Sequence, residues 1–66
     1  MVSKRRRFAL HMKDGSPTIE GLLVARNRDR FVLINAEILQ DVNSTHELSG
    51  RVEVPRENVY CLEEVK

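Results

Sequence analysis

Apolar and polar side chains begin to alternate at Phe8. Phe8, Leu10 and Met12 interleave with Ala9, His11 and Lys13, the period-two pattern of a strand with one buried face. Asp14-Gly15-Ser16-Pro17 follows. An Asp-Gly pair supplies the positive φ of a tight hairpin at little steric cost. Residues 18–25 are rich in β-branched and aliphatic residues around Gly21, which predicts a second strand. A glycine inside a strand marks a sharp bend or a close backbone approach. After a polar turn at residues 26–29, Phe31-Val32-Leu33-Ile34 is apolar on both faces, as a central or interface strand is. Residues 36–42 carry Ile38, Leu39 and Val42 and could form one or two helical turns. No capping residue precedes them, which favours a continuing, bent strand.

A turn at Asn43-Ser44-Thr45 leads to a fourth strand over residues 46–54, alternating at Leu48, Val52 and Val54 with a kink expected at Gly50. Pro55-Arg56-Glu57-Asn58 reads as a turn or a short 3₁₀ segment. Residues 59–62 make a fifth strand, followed by Glu63, Glu64 and Lys66. Five short strands separated by turn signals predict an all-β fold. A flat sheet of this size would leave one face bare, so the expected form is a small five-stranded, strongly bent SH3-like barrel, closed on itself. It occupies residues 8–66, and residues 1–7 form a basic flexible arm.

Composition narrows the function. The chain has 66 residues, and a domain this short buries only about 60% of its unfolded surface. Such domains gain stability from disulfides, a metal or oligomerisation. Cys61 is the one cysteine, and His11, His46 and Cys61 lack ligand spacing, so no disulfide and no metal is expected. Oligomerisation or an unusually good core remains. No apolar run approaches the ~20 residues of a membrane span, and no signal-like apolar stretch follows the basic start. The expectation is a cytoplasmic protein without membrane contact, with Cys61 buried and inert between Tyr60 and Leu62.

Catalysis is not expected. His11 lies on the outward phase of its strand, His46 follows a turn, and no glycine-rich phosphate loop is present. No catalytic residue, cofactor or small-molecule substrate is assigned. Charge is uneven: residues 1–30 hold eight basic and three acidic side chains, residues 31–66 three and seven. The halves therefore carry about +5 and −4, which suits either phosphate contact or attraction between neighbouring subunits. Lys4, Arg5, Arg6 and Arg7 form a basic arm, and Arg26, Arg28 and Arg30 alternate at one loop. Single-stranded RNA also calls for stacking groups. The aromatic residues are Phe8, Phe31 and Tyr60; Phe8 reads as core, and Tyr60 fits either role.

The order of these features resembles a known family. Phe8-Ala9-Leu10-His11-Met12-Lys13-Asp14-Gly15, Ile19-Glu20-Gly21-Leu22-Leu23 and Asp29-Arg30-Phe31-Val32-Leu33-Ile34-Asn35-Ala36 look like the first motif of the Sm-like (LSm/Hfq) family. Residues 52–62, from Val52-Glu53-Val54 to Tyr60-Cys61-Leu62, look like the second. The resemblance implies an Sm-like barrel that assembles into a homo-oligomeric ring of about five to eight subunits, the fourth strand of one pairing with the fifth of the next, an arrangement that also covers exposed strand edges. It further implies uridine-rich RNA held by two loops, at Asn27, Asp29, Arg30 and Phe31, and at Arg56 and Asn58, to which the loop arginine Arg28 adds charge. The sequence departs from the pattern where Arg30-Phe31 replaces Met-Asn and where Arg56-Glu57-Asn58 replaces Arg-Gly-Asn. It also looks similar to small barrel proteins of bacteriophages, which implies an alternative role as a structural, assembly or protein-interaction module without RNA.

Overall fold

The computed structural model describes residues 6–41 and 44–65. Lys4, Arg5, Val42, Asn43 and Lys66 lie outside the described residues. The chain forms β1 (Arg7–Met12), β2 (Thr18–Arg26), β3 (Arg30–Asp41), β4 (Ser44–Pro55), a 3₁₀ turn η1 (Arg56–Asn58) and β5 (Val59–Val65). All five strands are antiparallel in one sheet of order β4-β3-β2-β1-β5. The all-β expectation holds, and residues 36–41 extend β3 rather than forming a helix. Closure is corrected at one seam. β4 and β5 are the two edges and are not hydrogen-bonded to each other, so the sheet is curled but open. No helix among the described residues is long and apolar enough to cross a membrane.

Irregularities in register make the curl. Glu20 pairs with Glu37 but Leu22 with Ile34, so β3 carries an extra residue opposite Gly21. Ile34 pairs with Arg51 but Ala36 with Leu48, so β4 carries an extra residue at the same level. Asn35 and Gly50 have φ of 51° and 75° there, the left-handed conformation that bulged residues adopt. Gly21, Asn35 and Gly50 thus form one bend line across three strands. A side chain at Gly21 would not fit: its Cβ would meet Cα and Cβ of Ala36 at 3.0 Å and the Ile34 carbonyl oxygen at 3.1 Å.

The bend wraps the strands around a small core of Leu10, Phe31, Leu33, Ala36 and Val54. Leu10 and Leu33 are wholly inaccessible, and Phe8, Met12, Ile19, Leu23, Leu48, Val52, Val59 and Leu62 pack around them. Ala9 and Val32 are buried as well. On the other side of β1 to β3, Arg7 reaches Glu20 at 3.0 Å and Glu37 at 3.9 Å. Those two glutamates are directly opposite one another, a destabilising arrangement that the guanidinium relieves.

The β1–β2 turn is built as its residues predict. Gly15 has φ 81°, and the Ser16 backbone N–H donates to Asp14 Oδ1 at 2.9 Å. The Ser16 hydroxyl, then its N–H, hold the Asp14 carboxyl below its ordinary pKa. A depressed carboxyl stabilises the fold above its unfolded-state pKa, and that contribution is lost as pH falls through the folded value. In a carboxyl-carbon NMR titration, Asp14 should titrate below the ordinary aspartate range, and Ser16→Ala should move it up; an unmoved midpoint would contradict the assignment. For the bend line, Gly21→Ala should destabilise by about 1–3 kcal/mol, the cost of overpacking, seen as a lower urea midpoint. An unchanged midpoint would show that β2 and β3 are not in close approach.

Candidate nucleic-acid interface

Antiparallel pairing of β3 with β4 sets Arg30 opposite Pro55 and Phe31 opposite Val54. The loop at residues 27–29 therefore lies beside η1, and the two segments expected to hold RNA do meet. Two bonds join them. The Arg56 N–H donates to the Asp29 carbonyl oxygen at 2.9 Å. Arg56 Nε donates to the Asn27 carbonyl oxygen at 3.0 Å. Within the loop, the Asn27 N–H donates to the Arg30 carbonyl oxygen at 2.9 Å. The carbonyl oxygen of Asn58 accepts from the Lys13 N–H at 2.9 Å, which ties η1 to the end of β1.

The side chains divide by what they touch. Phe31 is buried, and the Arg56 guanidinium lies 4.6 Å from its ring centroid. The ring is a shelf for the arginine and is closed to an incoming base. Arg30 pairs with Asp29 at 3.3 Å and with Glu53 at 3.5 Å, so its charge is largely balanced. Arg28, Arg56 and Asn58 are exposed. Among the described residues, no carboxylate pairs with Arg26, Arg28 or Arg56. These three cations of one end remain available to phosphates.

The basic arm does not gather at this end. Arg7 belongs to β1 and is held by Glu20 and Glu37. Arg6 reaches Glu64 of β5 at 3.4 Å, an exposed pair of small energetic consequence. Lys4 and Arg5 lie outside the described residues.

Two further residues belong to the site. Arg26 closes β2 with its guanidinium 5.9 Å from the Phe8 ring centroid. Tyr60 is the second residue of β5 and is 77% exposed. With Arg56 and Cys61 they line a groove of ≈ 300 Å³. The alternation of Arg26 with Arg28 and Arg30 pointed to the first, whereas the exposure of Tyr60 follows from a register shift that composition does not encode. Cys61 is exposed, which corrects the expectation of a buried thiol: β5 is an edge strand, and one side of it is uncovered.

His11 is half-buried, with Nε2 3.0 Å from Glu63 Oε1 and Nδ1 3.2 Å from Thr18 Oγ1. The ring bridges β5, β1 and β2, and both nitrogens are engaged in that bridge. No group of three or more His, Cys, Asp or Glu side chains among the described residues is placed to hold a metal ion. No family model, curated protein or solved structure matches the chain.

Arg56→Lys removes both the Nε donor and the planar stack on Phe31, interactions worth about 1–2 kcal/mol together. Amide exchange at positions 27 and 56 should quicken by roughly tenfold, while the amides of Leu10 and Leu33 keep their rates. Equal rates in the variant would show that the arginine does not hold the two segments together.

Proposed function

We propose that the chain is an Sm-like, non-catalytic binding protein of the cytoplasm that assembles edge to edge into a homo-oligomeric ring and holds single-stranded, uridine-rich RNA. The observation that carries this reading is the meeting of the loop at residues 27–29 with η1, which sets Arg26, Arg28 and Arg56 at one end without carboxylate partners among the described residues. Phosphate oxygens satisfy such guanidiniums through charge-assisted, often bidentate hydrogen bonds. Assembly is supported by the two uncovered edges, β4 over 12 residues and β5 over seven, because an unpaired edge is a template for another strand. A cleft of ≈ 390 Å³ lined by Met12, Ile19, Ile38, Val52 and Val54 adds apolar surface between the ends of β1 to β4.

A second reading rests on the acids at the same end. Asp29, Glu53 and Glu57 stand among Arg28, Arg30 and Arg56, a mixed-charge surface that suits a protein partner as well as RNA. In that reading the chain is an assembly module, such as a bacteriophage component, and the ring has no RNA role.

Titration of a fluorescent oligo-uridine separates the two. Binding should weaken steeply with salt, with a log–log slope of about −0.7 for each phosphate neutralised, and Arg28→Ala should make the slope shallower by about that amount. No binding at low salt would sink the RNA reading. Light scattering on the same samples should give at least five times the chain mass of 7.6 kDa; a monomer would sink the ring.

A further inference from the structure

We propose that Tyr60 is a stacking platform for one unpaired base, with Arg26 and Arg56 gripping the adjoining phosphates; this rests on the RNA reading above and names the place where a base is held. The register of β5 against β1 is the first ground. His11 pairs with Cys61 and Met12 with Val59, so Tyr60 is the extra residue of a bulge and has no partner across the strand pair. A bulge re-aims a side chain away from the regular pleat. The consequence is visible in exposure: Tyr60 is 77% exposed, a large aromatic face left in water.

The second ground is what surrounds the ring. The groove beside it is lined by Arg26, Arg56, Tyr60 and Cys61 over Phe31 and Leu62, with no acidic side chain among its walls. The clefts on the Arg28 and Arg30 side, by contrast, are lined in part by Asp29, Glu53 and Glu57. The groove walls therefore bring Arg26 and Arg56 together without a carboxylate between them, while Arg56 also borders the cleft that holds Asp29 and Glu57.

The third ground is preorganisation. The Arg26 guanidinium lies over Phe8 at 5.9 Å and the Arg56 guanidinium over Phe31 at 4.6 Å. Each long side chain is steadied on an aromatic ring before any ligand arrives, which lowers the entropy lost on binding. An exposed aromatic flanked by two fixed arginines fits a base with its flanking phosphates. It does not fit a duplex, whose bases are already stacked on one another.

Three measurements on the full chain test this. Oligo-uridine affinity should fall about tenfold or more in Tyr60→Leu, which removes the π-face, and should be kept in Tyr60→Phe, which retains it. Affinity for a polyphosphate of equal charge should be the same in all three proteins. Saturating oligo-uridine should slow alkylation of Cys61, the single cysteine, because the thiol lies in the same groove. Wild-type protein that binds no RNA at low salt overturns the RNA reading and this proposal together. Wild-type protein that binds RNA while Tyr60→Leu binds equally and Cys61 alkylates at its free rate overturns this proposal alone. Break-up of the oligomer by Tyr60→Leu, seen by light scattering, overturns it too, since Tyr60 would then be an assembly contact.

Discussion

The chain leaves β4 at Pro55 and enters β5 at Val59, and these two strands are the opposite edges of a five-stranded sheet. In a flat sheet those edges lie four strand spacings apart, about 19 Å. Four Cα steps, fully extended, span at most about 14 Å, and η1 is a tight turn rather than an extended link. The sheet must therefore curl until its edges approach at this end. A flat arrangement of the same pairings cannot be connected.

The bend line supplies that curl. Gly21 lets β2 approach Ala36, and Asn35 and Gly50 take the positive φ that turns β3 and β4 at the same level. With the strands curled, Leu10 of β1 and Leu33 of β3 share one core. The same geometry assembles the candidate site. η1 crosses from edge to edge beside the loop at residues 27–29, so Arg56 bonds to Asn27 and rests on Phe31. The bulge that admits β5 to the sheet is also what leaves Tyr60 without a cross-strand partner. The shape and the candidate site thus have one origin, a three-residue link between the two edges.

Most of the strand pattern was legible because period-two alternation and turn chemistry are local. Asp14-Gly15 gave the hairpin, Gly21 the close approach, and Gly50 the kink. Continuation of β3 through Asn35 was legible from the missing helix cap, although the positive φ of Asn35 was not. What failed to show depends on tertiary pairing. The open seam follows from which strands become edges. The exposure of Cys61 follows from the edge position of β5. In the candidate site, both segments were named from the sequence, and their meeting follows from the pairing of β3 with β4. The roles of its members were not: Phe31 is a buried shelf, Arg30 is paired with Glu53, and Arg7 serves two glutamates. Ion pairs between distant positions leave no spacing signature in a chain read residue by residue.

In the function proposed, the end built by η1 and the β2–β3 loop is the surface that meets RNA. Backbone amide shifts followed by NMR during titration with oligo-uridine test it most directly. Perturbations should cluster at residues 26–30 and 56–62 and spare residues 45–50 at the far side of the bend. Perturbations confined to residues 45–50, or an unchanged spectrum at low salt, would contradict it.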